Sequence, residues 1–392
     1  MKRLTPLFLI FLTVFIDLLG FGILIPILPT FALNELHVDE TAIGIAISIY
    51  SLTQFLFNPI FGELSDKYGR RPIIILSLFL NAIGYLIFSF TSSYLLLLIS
   101  RIIAGIGGSS IGVAQAYIAD VTTKEERSKG MGLIGAAFGL GFVFGPLIGG
   151  LLSKAGYMVT GFVAAGFSLL AFILTLILLP ESNLNRSSKT GKRKLFDIEG
   201  AKKVFVKPDL SIIIFLFFVL TFSVANIYGT FALLGLKIYQ FTDLQNGYMF
   251  GIVGITSAIV QGALLNYVVK FLKKKKTIIY GSLFMMVGLG MIPYGGNFLG
   301  LAVVSVILSV GTGMLQPTLL SLISEVSSES EQGITLGLNQ SLSAFARVLG
   351  PLWGGFAFEF IGYQFPFLTG AAFTLIILLI SITYLPRKLK IQ

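Results

Sequence analysis

The sequence predicts an all-α membrane protein whose twelve transmembrane helices form two pseudo-symmetric bundles of six. Its 392 residues are 55% hydrophobic and 12% charged, with a mean hydropathy of +0.91. A typical soluble domain carries about twice that share of charged residues. Long apolar runs along the chain and a duplicated sequence then specify the number of helices and their division into halves.

Twelve runs are long enough to cross a bilayer, because a helix needs roughly 20 apolar residues to span a hydrocarbon core about 30 Å thick. The first six cover 5–32, 41–61, 72–91, 94–119, 129–152 and 157–180. The last six cover 211–236, 245–270, 276–295, 297–323, 333–356 and 362–386. We therefore predict an N-terminal bundle over 1–180, a cytoplasmic linker over 181–210 and a C-terminal bundle over 211–392.

The basic residues predict the orientation. Of the 28 Lys and Arg residues, all but Arg101, Arg347, Lys154 and Lys237 lie at the termini or in connections on one side. Basic connections stay in the cytoplasm, so both termini are predicted to be cytoplasmic, in the inner or plasma membrane. The net charge of +10 then reflects topology, and no nucleic-acid partner is expected. The basic segment 192–207 either lies on the inner membrane surface or is a solvated linker.

Residue usage argues against an enzyme. The chain has no Cys and a single His, His37, which excludes thiolate chemistry, disulfides and Cys or multi-His metal sites. No nucleophile–base pair stands out either. We expect no enzymatic activity, no metal and no cofactor.

One short sequence occurs in both halves of the chain. GPLIGG at 145–150 recurs as GPLWGG at 350–355. Weak duplication within hydrophobic halves is typical of transporters built from repeats, which bind their substrate between the repeats.

Four segments resemble motifs of the Major Facilitator Superfamily. They are DLLGFGILIPILP at 17–29, GELSDKYGRRP at 62–72, RIIAG at 101–105 and GFVFGPLIGG at 141–150. The chain is most similar to the twelve-helix drug:proton antiporters of the tetracycline and multidrug exporter type. The resemblance implies the fold of that superfamily and export by alternating access.

By the same resemblance, the 62–72 motif is a conformational latch on the cytoplasmic side. Asp66 would hold the two halves together and face the N-terminus of the eleventh helix, where the helix dipole favours a carboxylate. Asp120 would join the latch with Arg71. The latch residues are Gly62, Asp66, Gly69, Arg70, Arg71 and Asp120. A simple basic turn is the alternative.

The 141–150 motif predicts a bendable seam between the halves, because small residues permit close packing and proline weakens the helix. Ordinary helix packing is the alternative. The hinge residues are Gly141, Gly145, Pro146, Gly149 and Gly150.

Three charges, Asp17, Arg101 and Arg347, fall at a similar depth inside the predicted helices. Charges within the membrane are expensive and are therefore functional candidates. We predict that Asp17 carries the coupled proton and that Arg101 is its electrostatic partner, with separation of the two switching proton binding. A purely structural Asp17–Arg101 ion pair is the alternative.

Polar residues embedded in the apolar runs are candidates for the substrate cavity, although each could instead form a helix–helix hydrogen bond. The candidates are Tyr50, Gln54, Asn58, Gln115, Asn226, Tyr228, Gln316, Asn339, Gln340 and Arg347.

The chain departs from the tetracycline exporters in its acids. Those exporters carry further acids in the third and ninth helices, whereas this chain has Gly84 at the third-helix position and no acid in 276–295. A neutral, zwitterionic or anionic amphiphile is therefore the predicted cargo.

We predict a monomeric, proton-coupled exporter of small amphiphilic molecules, whose partners are its substrate, H⁺ and the lipid bilayer. A lipid or lysolipid flippase and a sugar exporter are alternatives with the same fold. A membrane receptor that does not transport is a further alternative.

Overall fold

The structure is a computed structural model that describes residues 6–123, 127–183, 204, 206–327 and 332–384. All regular secondary structure in these residues is helical, which confirms the all-α prediction.

The first part of the chain forms seven of the described helices. They are α1 Pro6–Asn34, α2 Glu40–Tyr68, α3 Arg70–Ser89, α4 Tyr94–Gly107, α5 Ser110–Val121, α6 Arg127–Leu152 and α7 Tyr157–Leu178. The second part forms α8 Pro208–Ala225, α9 Ile227–Lys237, α10 Asp243–Ile259, α11 Leu265–Met291, α12 Phe298–Val326, α13 Gln332–Phe360 and α14 Phe365–Thr383.

Ten stretches of the described chain are long and apolar enough to cross a membrane. One of them, Asp243–Tyr294, is 52 residues long and is interrupted at Lys273, whose φ of 63° and ψ of 157° are not helical. It accounts for two of the predicted runs. The run predicted at 333–356 coincides with α13, so each of the twelve predicted runs has a described helical counterpart.

Three predicted runs are each divided between two helices. The fourth run breaks at Gly107–Ser109, between α4 and α5, and the seventh breaks at Asn226, between α8 and α9. The eighth contains a π-helical turn over Val260–Leu264, between α10 and α11. Adjacent glycines explain the first break, because glycine is a poor helix former. At the second, the side-chain Nδ2 of Asn226 donates a hydrogen bond to the carbonyl oxygen of Pro366 in α14.

The chain folds into two compact units. The first contains Met1–Val38, Ile49–Leu195 and Thr242–Gly251, and the second contains Asp39–Ser48, Phe196–Phe241 and Ile252–Gln392. Each unit thus holds most of one half of the chain and the start of one helix from the other half. The predicted linker 181–210 lies largely outside the described residues. Of the segment 192–207, Val204, Val206 and Lys207 are described.

In the first unit, α1 packs against α6 and α7, and α3 packs against α4 and α7. Glycine makes the α1–α6 contact close, since a Cβ placed on Gly145 would lie 2.6 Å from the Cα of Gly22. In the second unit, α11 packs against α12 and α14, and α8 packs against α13.

The duplicated motif packs in the same way in each unit. In the first unit, a Cβ on Gly247 would lie 2.7 Å from the carbonyl oxygen of Pro146. In the second unit, a Cβ on Gly44 would lie 2.3 Å from the carbonyl oxygen of Pro351. The motif therefore holds the start of α10 against α6 and the start of α2 against α13.

Candidate functional site

Asp17 lies at the meeting point of three helices in the first unit. Its side chain is buried, and the amide nitrogen Nδ2 of Asn81 donates to both carboxylate oxygens, at 2.9 and 3.1 Å. The hydroxyl of Ser168 donates to Oδ1 at 3.2 Å. An acid on α1 is thus held by an amide from α3 and a hydroxyl from α7.

The sequences of α3 and α7 explain why these groups meet. Ser77, Asn81 and Tyr85 are four residues apart and all buried, so they form a polar row along one face of α3. Ser168 lies on a face of α7 made of small residues, where Gly20 of α1 approaches closely: a Cβ on Gly20 would be 3.3 Å from the Ser168 hydroxyl. Small neighbours let a short side chain reach Asp17.

Arg101 is buried but does not form the expected ion pair with Asp17. Its guanidinium carbon lies 5.9 Å from the ring centre of Tyr85 and 5.6 Å from that of Phe88, a cation–π arrangement. Its Nε donates to the hydroxyl of Ser100 at 3.4 Å. Its second terminal nitrogen, Nη2, is buried with no hydrogen-bond partner among the described residues.

Tyr85 lies beside Arg101, whose guanidinium carbon is over its ring. The buried hydroxyl of Tyr85 finds no hydrogen-bond partner in the described part of the chain. The carboxylate of Asp17 is thus held by neutral donors from α3 and α7, whereas the guanidinium of Arg101 lies against aromatic rings.

Asn81 and Ser168 were not among the residues predicted from the sequence. Gly84, the third-helix position where tetracycline exporters carry an acid, faces α4 instead, and a Cβ there would lie 2.8 Å from the Cβ of Ala104. The signal that could have found Asn81 is a lone amide within the apolar run 72–91. Nothing in a single sequence distinguishes Ser168 from other buried serines.

Two predicted cavity residues, Tyr50 and Gln54, lie beside the break between α4 and α5. Nε2 of Gln54 donates to the carbonyl oxygen of Gly108 at 2.8 Å, which satisfies a backbone group that the break exposes. A Cβ on Gly108 would lie 2.4 Å from the hydroxyl of Tyr50. The ring of Tyr50 also stacks on Phe21, with ring centres 5.1 Å apart.

The other cavity candidates differ in exposure. In the first unit, Asn58 is half-buried and Gln115 is exposed. In the second unit, Asn226 and Asn339 are buried, Tyr228 and Arg347 are half-buried, and Gln316 and Gln340 are exposed. Asn226 contributes to helix packing, because Gly354 approaches it closely. A Cβ on Gly354 would lie 2.5 Å from the backbone carbonyl oxygen of Asn226.

The 62–72 motif forms an ion cluster around Arg70. Its Nη1 lies 2.6 Å from Oδ1 of Asp66, and its Nε lies 3.1 Å from Oδ2 of Asp120. Nη1 also donates to the hydroxyl of Ser65 at 2.7 Å. The partner of Asp120 is therefore Arg70, which corrects the expected pairing with Arg71. Nη2 of Arg71 instead donates to the carbonyl oxygen of Leu176.

Glu181 caps the helix that follows the motif, which the sequence did not indicate. Its Oε1 accepts from the backbone N–H of Arg70 at 2.8 Å, and its Oε2 accepts from that of Arg71 at 3.2 Å. Gly69 precedes them with a φ of 109°, in the region that favours glycine. A carboxylate at a helix N-terminus is favourable, so Glu181 ties the segment that follows α7 to the start of α3.

The predicted hinge residues pack on two neighbours. Gly141, Gly145 and Gly149 face α1, and Gly150 faces the start of α10. Pro146 faces both, with its ring toward α1 and its carbonyl oxygen toward α10. The helix α6 itself is continuous from Arg127 to Leu152. Bending of α6 at these residues stays a prediction. The contact of Asp66 with the start of the eleventh predicted run, which corresponds to α13, also stays a prediction.

Three named relatives are similar along most of the chain. Multidrug resistance protein 1 of Bacillus subtilis (strain 168) is 30% identical over 373 residues, covering 94% of each protein. The class E tetracycline resistance protein of Escherichia coli is 30% identical over 352 residues, covering 88% of this chain and 86% of that protein. The quinolone resistance protein NorA of Staphylococcus aureus (strain COL) is 25% identical over 358 residues, covering 90% of each.

Solved structures agree in fold. The human organic anion transporter MFSD10 (TETRAN) superposes with a TM-score of 0.71 at 25% identity, covering 96% of this chain and 98% of that one. The nucleoside transporter NupG gives a TM-score of 0.78 at 13% identity, covering 97% and 98%. The family model of the Major Facilitator Superfamily matches residues 10–298 and 263–390. As its motifs predicted, the chain belongs to the Major Facilitator Superfamily of multi-pass membrane transporters.

Proposed function

We propose that the protein exports small amphiphilic compounds in exchange for protons, with Asp17 as the proton carrier. The names of its relatives, which refer to multidrug, tetracycline and quinolone resistance, support a drug-like cargo. The main support for proton coupling through Asp17 is the chemistry of its hydrogen-bond donors. Asp17 accepts hydrogen bonds from the Asn81 amide and the Ser168 hydroxyl, and both of these groups are neutral.

A carboxylate with neutral partners inside a membrane-spanning helix keeps an uncompensated charge, which is expensive there. Binding a proton removes that charge. A conformation that hydrates Asp17, or that brings Arg101 to it, would instead compensate the charge. Proton binding and conformation are therefore linked, which is what an antiporter needs.

The driving force is sufficient for useful export. A membrane potential of about 100 mV supplies roughly 2.3 kcal/mol per proton, and a tenfold proton gradient adds about 1.4 kcal/mol. One proton exchanged for one neutral molecule could therefore sustain a concentration gradient of a few hundredfold.

The charges favour a zwitterionic or anionic cargo. Arg101 has a buried nitrogen, Nη2, with no hydrogen-bond partner within the described ranges, and Arg347 is a second base inside a predicted span. The structural neighbour MFSD10 is described as an organic anion transporter. These observations support a negatively charged group on the cargo, placed toward Arg101.

We further propose that the protein acts as a monomer in the inner or plasma membrane with both termini in the cytoplasm. The Arg70 cluster of the 62–72 motif would then lie on the cytoplasmic side and latch the two halves during the transport cycle. The 141–150 motif would be the seam along which α6 moves.

The test is transport by purified full-length protein in proteoliposomes with an imposed pH gradient. The panel contains norfloxacin as a zwitterion, tetracycline, the cationic dye ethidium, a lysolipid and a disaccharide. We expect the wild type to accumulate norfloxacin against its gradient and Asp17→Asn to lose that accumulation. Glu35→Gln is the matched control, because Glu35 is an exposed carboxylate outside the predicted runs.

Three outcomes would contradict the proposal. Full accumulation by Asp17→Asn would exclude Asp17 as the carrier. Accumulation of the lysolipid or the disaccharide alone would favour the flippase or the sugar exporter. Ligand binding without movement of any compound would favour a receptor.

A further inference from the structure

The side-chain amide of Asn81 faces Asp17 with its nitrogen and Gly107 with its oxygen. Its Nδ2 serves both oxygens of Asp17, at 2.9 and 3.1 Å, while its Oδ1 is buried with no hydrogen-bond partner in the described chain. A buried amide oxygen without a partner costs free energy. Such a group in a native structure calls for an explanation.

The two protonation states of Asp17 need opposite partners. An ionised carboxylate accepts hydrogen bonds, whereas a protonated one also donates through its O–H. An asparagine amide carries a donor and an acceptor on the same carbon, and a half-turn about the Cβ–Cγ bond exchanges them. The unpartnered Oδ1 of Asn81 is therefore the acceptor that the protonated form of Asp17 requires.

The same oxygen touches the break between α4 and α5. A Cβ on Gly107 would lie 2.5 Å from Oδ1 of Asn81 and 2.6 Å from its backbone nitrogen. One residue further along the break, Gly108 contacts the side chains of Gln54 and Tyr50. The amide therefore lies between Asp17 and the break between α4 and α5, which Tyr50 and Gln54 of α2 contact.

We propose that Asn81 is the positioning residue that links protonation of Asp17 to the break between α4 and α5. When a proton binds one oxygen of Asp17, that oxygen loses its hydrogen bond from Nδ2. The amide turns, and Oδ1 accepts the new O–H. The NH₂ group then faces Gly107, which changes the packing of the break beside Gln54 and Tyr50. The inference rests on the proposed proton coupling.

The test compares Asn81→Leu, which keeps the size of the side chain and removes its hydrogen bonds, with Ser77→Ala. Ser77 is the matched control, because it is buried one turn away on the same face of α3 and its hydroxyl has no partner among the described residues. Two transport activities of the protein are measured in proteoliposomes, with norfloxacin as the cargo. One is accumulation driven by a pH gradient, and the other is exchange of labelled for unlabelled compound without a gradient.

We expect Asn81→Leu to lower gradient-driven accumulation by about tenfold, the value of a lost hydrogen bond to a charged group, and to leave exchange within about twofold of the wild type. Ser77→Ala should change neither. A residue that only holds the fold together would lower both activities in parallel. Parallel loss in Asn81→Leu would therefore overturn the proposal, and so would unchanged accumulation.

An infrared measurement tests the hydrogen bond itself. The carbonyl band of protonated Asp17 is assigned as the band that Asp17→Asn lacks, in the whole protein at low pH. The band should shift in Asn81→Leu and stay in place in Ser77→Ala. An identical band in Asn81→Leu would contradict the turned amide.

These results separate the inference from the function on which it rests. If the wild type accumulates none of the panel compounds on a pH gradient, the proposed function fails. If the wild type accumulates norfloxacin and Asn81→Leu does so equally well, proton coupling stands and the role of Asn81 is wrong.

Discussion

Adjacent arginines in the 62–72 motif have different partners, because neighbouring residues on an α-helix point about 100° apart. Arg70 binds Asp66 and Asp120, whereas Arg71 binds the carbonyl oxygen of Leu176. A motif written as letters cannot tell which of the two arginines faces Asp120 at the C-terminal end of α5.

The cap formed by Glu181 gives a prediction at the residue scale. Glu181→Ala removes the acceptor of two N–H groups at the start of α3 and should lower the free energy of unfolding by about 1 kcal/mol. The measurement is thermal unfolding of the detergent-solubilised protein. Glu63→Ala is the control, since Glu63 is an exposed carboxylate in the same motif. Equal melting temperatures for the two variants would exclude the cap.

At the scale of single elements, glycines decide how closely α1 and α6 approach. Gly145 and Gly139 lie in the same helix, yet they differ in their surroundings. A Cβ on Gly145 would lie 2.6 Å from the Cα of Gly22, whereas a Cβ on Gly139 would meet nothing within 4 Å. The sequence predicted a small-residue surface on this helix, but not which of its glycines contact α1.

Gly145→Ala should therefore destabilise the first unit by about 1–3 kcal/mol, because the clash is with backbone and the helices must separate. Gly139→Ala should be neutral or slightly stabilising, since alanine favours the helix. The yield of monodisperse protein and its melting temperature measure both effects. If Gly139→Ala were the more harmful of the two, the α1–α6 packing described here would be wrong.

At the scale of the whole molecule, each unit includes the start of one helix from the other half of the chain. In the second unit, the start of α2 is held by an ion pair between the buried carboxylate of Glu40 and Lys237. The backbone N–H of Thr41 also donates to Glu359, at 3.0 Å. In the same part of α2, Gly44 packs closely against Pro351 of the duplicated Gly-Pro motif.

Removing one partner of this ion pair should cost more than removing both. Lys237→Gln leaves Glu40 buried without its cation and should lower stability by about 1 kcal/mol, a value kept small because Lys237 is 37% exposed. The double variant Glu40→Gln/Lys237→Gln should recover most of that loss. A double-mutant cycle of melting temperatures measures the coupling, and strictly additive effects would show that the pair contributes nothing.

The lengths of the apolar runs, compared with the thickness of a bilayer, were enough to predict the helical segments, and composition was enough to predict a membrane protein. The duplicated Gly-Pro sequences were also found, because their residues are adjacent in the chain. The neighbours of Asp17 and the cap by Glu181 were not found. They depend on which faces of α1, α3 and α7 meet, and that is set by packing between residues more than 60 positions apart. The separation of Asp17 from Arg101 has the same origin, since equal depth in a membrane does not imply contact.

The most direct test of Asp17 as the proton carrier is to count the protons exchanged when cargo binds. Purified protein in weakly buffered detergent is mixed with norfloxacin, and the pH change is recorded for the wild type and for Asp17→Asn. The wild type should release protons on binding, up to about one per bound molecule, and the variant should bind without release. Equal proton release by Asp17→Asn would contradict the assignment of Asp17 as the carrier.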